Sequence, residues 1–308
     1  MTIIKGLLSL LALLATFQAP GAFADLRIGV SMSNYDDVFL ATLRNELKER
    51  GQKQGVQLQF EDARIDTVMQ ANQVLNMISQ GVDALIVSPV DTAATRPITA
   101  AAVKAGIPLV YINRRPDVPT LPEGVAAVYS DDAEAGRMLG EYIAQRLNGK
   151  GSIAILMGDP TTNSAQQRTD GYKESLSKYP GIKIVEQQNG LWLRDKAMDI
   201  TTGWMLTGQA IDAILANNDE MAIGASMALS RSEKSTILVS GVDGTADGMV
   251  AIKRKMLAVS ALQDAGEQAI RSIELCREMI EKRPVKDMVI PMRLITPDNL
   301  GEFYQARQ

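Results

Sequence analysis

Apolar positions along this chain alternate between two rhythms. LRIGV, VQLQF, DALIVSPV, IPLVYIN and VAAVYS are short apolar or alternating runs, rich in β-branched residues. Between them, 38–55, 67–80 and 92–105 carry apolar residues at helical spacing. Gly55, Gly81 and Gly106 stand where a helix would stop. Strand and helix in strict alternation, with short connections, predict a parallel sheet covered on both faces. An irregular segment with three prolines, RRPDVPTLPEG, then breaks the pattern. After VAAVYS the rhythm restarts, with helices expected at 132–148, 164–179, 194–207, 219–230 and 245–254. SIAILMG, IKIVEQ, AILAN, TILVSGVD and LAVSAL are the strands between and after them. A helix at 264–281 and one extended stretch, VIPMRLIT, close the chain. The pattern predicts two doubly wound α/β lobes. GVDAL (81–85) and AIDAI (210–214) echo one another at the start of a strand in each half.

The first 24 residues do not fit this rhythm. One lysine, an apolar core over 6–17 and Ala22-Phe23-Ala24 read as an export signal cleaved after Ala24. The apolar stretch is too short to be a good membrane span. The mature protein is expected to be soluble, exported and periplasmic.

Composition then removes several kinds of chemistry. The chain of 308 residues has no histidine, which excludes His-based triads and imidazole metal sites. Its one cysteine, Cys276, can form neither an internal disulfide nor a Cys-cluster metal site, and its helical setting reads as a buried, inert thiol. A formal net charge of −4 offers no basic field for a nucleic acid. Neither GxGxxG nor GxxxxGK[ST] occurs, so no phosphate cradle, cofactor or metal is expected.

In open α/β sheets, ligands sit beyond the carboxyl ends of the strands. Those ends carry Tyr35, Asp36, Asp37 and Phe39, then Asn113, Arg114 and Arg115, then Asn163 with Arg168 at the next helix. Further along come Trp192, Asn218, Asp243 and Gln263. Arg, Asp, Asn and Gln present planar groups that can each engage two hydroxyls. Phe39 and Trp192 offer flat faces for the C–H surface of a ring. This combination suits a neutral polyol. Local alternatives exist: Asp219 can cap the helix that follows it, Trp204 belongs to packing, and Arg115 reads as a buttress or a solvated charge.

DALIVSPVDTAA, GIPLVYINRRP, RTDGYKES, ANNDEMAIGA and GVDGTADG resemble the ribose-type periplasmic binding proteins of bacterial ABC importers, across essentially the whole mature chain. The resemblance implies a type I periplasmic binding protein fold, with a pocket between two Rossmann-like lobes joined by a multi-crossing hinge. It places residues 25–129 plus 265–291 in one lobe and 130–264 plus 292–308 in the other, with crossings near 129–130, 262–265 and 291–295. It implies ligand contacts at Asp36, Phe39, Asn113, Arg114, Arg168, Trp192, Asn218, Asp243 and Gln263, with Tyr35, Asp37 and Asn163 as secondary candidates. Two departures bear on the ligand. The usual Asp-Arg pair is Asn113-Arg114, and the first loop reads Tyr35-Asp36-Asp37 where ribose binders carry Asn and aromatics. SMSxxDD, FEDAR and INRRP look more like inositol and rhizopine (inosamine) binders, so a cyclitol ranks ahead of an aldose such as ribose, galactose or xylose.

The expected activity is capture without catalysis, by a monomer that serves an inner-membrane ABC permease and is compatible with a chemoreceptor partner. A sugar-responsive regulator would need a helix-turn-helix where the export signal stands. An enzyme would need carboxylates flanking a substrate, and Asp36-Asp37 are adjacent in one loop.

Overall fold

The computed structural model describes residues 26–305 other than 235. The expected export signal lies outside the described residues. The first part of the chain forms β1 (Leu26–Met32), α1 (Val38–Lys53), β2 (Val56–Asp62), α2 (Thr67–Ser79), β3 (Ala84–Val87), α3 (Arg96–Ala105), β4 (Leu109–Asn113) and β5 (Val125–Ser130). Next come α4 (Asp132–Arg146), β6 (Lys150–Met157), α5 (Asn163–Leu176), β7 (Gly181–Asn189), α6 (Arg194–Leu206), β8 (Ala213–Ala216), α7 (Asp219–Arg231), β9 (Leu238–Asp243), α8 (Ala246–Lys253) and β10 (Val259–Leu262). The described chain ends with α9 (Ala265–Ile280), β11 (Met288–Ile290), β12 (Arg293–Ile295) and α10 (Leu300–Gln305).

Two six-stranded sheets result, ordered β11-β5-β4-β3-β1-β2 and β12-β10-β9-β8-β6-β7. The orders correspond strand for strand. Neighbours run parallel except for β12, which is antiparallel to β10. The central strands β3, β4 and β8 are buried along their whole length, as apolar runs covered on both faces must be. Alternate residues of β3 and β4 feed two cores. Ile86, Val110 and Ile112 face α1 and α9, while Leu85, Val87, Leu109 and Tyr111 face α2 and α3. The second sheet does the same with Leu156 and Ile214 on one side and Ile155 and Leu215 on the other. Each fully buried Leu or Ile contributes about 1.5–3 kcal/mol.

The echo between GVDAL and AIDAI is structural. Asp83 Oδ2 accepts from Arg27 N at 2.8 Å, and Asp212 Oδ2 accepts from Ser152 N at 2.7 Å. Each aspartate ties the start of its strand, β3 or β8, to the neighbouring strand. The chain passes between sheets three times: after β5, after β10, and between β11 and β12. Cys276 on α9 is fully buried in the first lobe, and burial pushes its thiol pKa up.

Three expectations about elements change. VIPMRLIT is two strands in different sheets, because Pro291 has no N–H to continue a ladder. The third helix starts at Arg96, not at 92. Asp91 turns the chain by accepting from Ala93 N, and Pro97 sits in the first helical turn, where its missing N–H costs nothing. The terminal helix α10 is absent from the apolar pattern.

Candidate functional site

The second lobe builds its half of the cleft around Arg168. A Cβ added at Gly136 on α4 would lie 2.2 Å from the Arg168 carbonyl oxygen, so only glycine lets α4 and α5 approach this closely. That approach sets Arg168 Nε 2.7 Å from Asp132 Oδ1. Its Nη1 donates to the Asn217 carbonyl at 2.6 Å and lies 3.8 Å from Asp243 Oδ1. Arg168 is only 3% exposed. Burial works against its charge, and the carboxylates of Asp132 and Asp243 outweigh that penalty, so the guanidinium is held more firmly protonated than usual. A guanidinium has five N–H donors, so groups remain for a ligand.

Trp192 follows β7 with φ 70, a left-handed backbone uncommon for a bulky residue. Its ring has room because position 158 is glycine: a Cβ there would stand 2.2 Å from the indole. The Arg168 guanidinium lies 5.6 Å from the Trp192 ring centroid, within cation–π range. Asn218 caps α7 by accepting from Met221 N at 2.9 Å, and its amide donates to the Trp192 carbonyl at 3.2 Å. The cap expected of Asp219 thus belongs to Asn218. Asp219 is instead fully buried and accepts from Thr245 N, Thr245 Oγ1 and Ser260 Oγ, pinning the β9–α8 turn.

The first lobe's half is looser. Asp37 caps α1 by accepting from Leu40 N at 2.8 Å, and Phe39 is buried in the first turn behind it. Arg114 is half-buried, and its side chain makes one hydrogen bond among the described residues, to the Pro89 carbonyl at 3.2 Å. Burial lowers its pKa, with Asp37 opposing that shift and Arg168 adding to it.

Asn113 ends β4 and Asp243 ends β9, at corresponding places in the two sheets. Both have positive φ, 70 and 115. Gln263, at the second crossing, joins them: Asn113 Nδ2 donates to Gln263 Oε1 at 3.2 Å, and Gln263 Nε2 donates to Asp243 Oδ1 at 2.8 Å. A carboxylate only accepts, so Asp243 fixes which end of the glutamine faces it. The other end, an acceptor, requires a donor at position 113, and Asn supplies one where Asp would not. Burial raises the Asp243 pKa well above the ordinary carboxylate value, with Arg168 acting in the opposite direction.

Phe39, Asn113, Arg114, Arg168, Trp192, Asn218, Asp243 and Gln263 line one cavity between the lobes, with an empty volume of about 310 Å³ including its open part. Asp37, Leu40 and Ser164 complete the lining. Asp36 does not: it is exposed, and its backbone N–H donates to the Asn34 side chain. The helix cap turns Asp37 inward in its place. Tyr35 packs under the Arg44 guanidinium at 4.0 Å and is not part of the lining. Asn163 also lies off it, and its Nδ2 donates to the Arg115 carbonyl at 2.8 Å, a bond between the lobes. Arg115 turns away from the cleft to pair with Asp287 at 2.8 Å and to hold the carbonyls of Pro116 and Val118. Sequence reasoning missed Asp132 and Asn217. The doubled Asp131-Asp132 and Asn217-Asn218 were their only signal.

Residues 28–284 match the model of the periplasmic binding protein domain. The chain belongs to this family. It is a periplasmic sugar-binding component of an ABC transporter. A protein of Rhizobium meliloti named for rhizopine binding is 40% identical over 283 residues, spanning 90% of this chain and 92% of that one. A xylitol-binding protein of Mycolicibacterium smegmatis is 32% identical, spanning 89% of this chain and 78% of its own length. Among solved structures, an ABC transporter solute-binding protein from Bacillus halodurans with bound myo-inositol is similar at TM-score 0.88 and 35% identity, covering 94% of this chain and all of the other. The two-lobed α/β fold is shared with this solved transporter component.

Proposed function

We propose that the cleft captures a cyclitol, myo-inositol or a related inosamine, and delivers it to an inner-membrane permease. The observation that carries this reading is the meeting of planar hydrogen-bonding groups from both lobes around one cavity with aromatic walls. A cyclitol bears a substituent on every ring carbon and so needs directional partners on all sides. The ligands named for the Bacillus halodurans and Rhizobium meliloti relatives support this chemistry. Asp37, Phe39, Asn113 and Arg114 hold the ligand from the lobe of 25–129 plus 265–291. Arg168, Trp192, Asn218 and Asp243 hold it from the lobe of 130–264 plus 292–308, and Gln263 spans the hinge. A ligand that bonds to both halves stabilises the closed form over the open one, because only closure satisfies both sets of groups. The protein acts as an exported monomer, and its closed shape is what the permease, or a chemoreceptor, reads.

An aldose is the second reading, favoured by a structural relative from Actinobacillus succinogenes with bound D-allose, at 27% identity. Calorimetry on ligand-stripped protein with myo-inositol, scyllo-inosamine, ribose, galactose and xylose decides between them. Heat with the cyclitols is expected, and a response to ribose alone rejects the cyclitol.

A further inference from the structure

A second chamber adjoins the cleft, sharing Asp37, Arg114 and Trp192 with it and adding Ser33 and Asp159, with an empty volume of about 340 Å³ including its open part. Its charge does not balance. Two carboxylates, Asp37 and Asp159, face one guanidinium, Arg114, and among the described residues neither carboxylate makes an ion pair. Both influence Arg114 from a distance, while Arg114 itself bonds to a carbonyl. The main cleft, by contrast, sets Asp37 and Asp243 against Arg114 and Arg168.

The structural duties of the two carboxylates use one oxygen each. Asp37 Oδ1 caps α1, and Asp159 Oδ1 accepts from Thr161 N and Oγ1 at 2.9 and 2.8 Å. Both Oδ2 atoms remain without a protein donor among the described residues. An independent observation comes from Ser33. It lines the same chamber, is 3% exposed, and its hydroxyl has no hydrogen-bond partner among the described residues. A buried hydroxyl left unpaired is costly, and a ligand group in the chamber removes that cost.

We propose that this chamber is a subsite for a protonated amine carried on the polyol ring, with Asp37 and Asp159 taking its charge and Ser33 Oγ accepting one of its N–H groups. An ammonium offers three donors and no acceptor, which matches two acceptor-only carboxylates and a hydroxyl. The proposal rests on the reading of the cleft as a polyol site and specifies which member of the class it prefers.

The test compares matched amine and hydroxyl ligands by calorimetry: scyllo-inosamine against scyllo-inositol, and galactosamine against galactose. In the unaltered protein the amine is expected to bind about 10-fold tighter within whichever pair binds, the scale of one charge-assisted bond. Asp159→Asn keeps the oxygen that serves Thr161 and should cut that ratio to about threefold or less. Ser33→Ala should reduce it less, and thermal melting of each variant confirms folding. Equal affinity for amine and hydroxyl, or a ratio unchanged in Asp159→Asn, overturns the subsite while leaving the polyol reading intact. Binding of the galactose pair but not the scyllo pair overturns the cyclitol, and the amine-to-hydroxyl ratio still decides the subsite. Binding of neither pair overturns both.

Discussion

The two lobes share one sheet order, yet they bring unequal half-sites to the cleft. In the second lobe, Arg168 is locked by Asp132, the Asn217 carbonyl and the nearby Asp243. In the first lobe, Arg114 holds a single carbonyl and no carboxylate within ion-pair distance among the described residues. The same residue type at the same cleft therefore has two roles. The second lobe is a pre-organised surface that loses little freedom when a ring settles on it. The first lobe has donors still to satisfy, and it gains most when closure brings them to the ligand.

Removing each arginine is the sharpest way to break that comparison. Arg168→Ala strands Asp132 and Asp243 in a buried site, and losing one partner of such a network costs about 3–5 kcal/mol. Both ligand affinity and Tm should fall, by calorimetry and thermal melting. Arg114→Ala should cost about 2–3 kcal/mol of binding while Tm falls far less than in Arg168→Ala, because its side chain gives up one neutral-acceptor bond, to the Pro89 carbonyl, and no ion pair among the described residues. Equal Tm losses in the two variants would erase the distinction between the lobes.

A smaller effect tests the bridge between them. Asn113→Asp places an acceptor against Gln263 Oε1, and Gln263 cannot turn round without leaving Asp243 unsatisfied. Closure should lose about 1–2 kcal/mol, the cost of one mispaired buried group, seen as weaker binding at unchanged Arg114 and Arg168. Affinity at or above that of the unaltered chain would show that the amide polarity at 113 is not what matches the hinge.

How much of this was legible follows the same physics. Strand and helix periodicity is local, so the alternation and both sheets could be read from apolar runs such as ALIV and AILA. Strand ends are where an α/β sheet exposes side chains, so Asn113, Arg114, Trp192, Asn218, Asp243 and Gln263 could be found by position alone. What failed depends on a single turn or a long-range contact. Asp36 and Asp37 are adjacent, and only the capping bond to Leu40 N decides which faces the cleft. Asp132 looks like an ordinary first-turn acid, and it becomes the partner of Arg168 only because Gly136 draws α5 against α4. The apolar pattern runs straight through VIPMRLIT, and the crossing near 291–295 that the resemblance implies is what marks its split at Pro291 into two sheets.

The lobes should also differ in their response to acid. Among the described residues, the carboxyls that burial shifts upward, Asp219 and Asp243, both lie in the second lobe. Asp219 is raised to about 6, against the opposing pull of its hydrogen bonds from Ser260 and Thr245. An unfolded aspartate titrates near 3.9. Between about 4 and 6 the native protein therefore binds more protons than the unfolded chain, so this group's contribution to stability falls as pH rises through that window and levels off above it. Asp219→Asn removes the titration at the expense of a mismatched donor, a penalty that does not vary with pH. The Tm gap between the two proteins should therefore be widest near pH 4 and narrow by a few degrees on going to pH 6.5. A constant gap across the range would mean that Asp219 stays ionised down to its unfolded pKa, held by Ser260 and Thr245 more strongly than burial opposes it. The second lobe's pre-organisation would then extend to its buried charges as well as to Arg168.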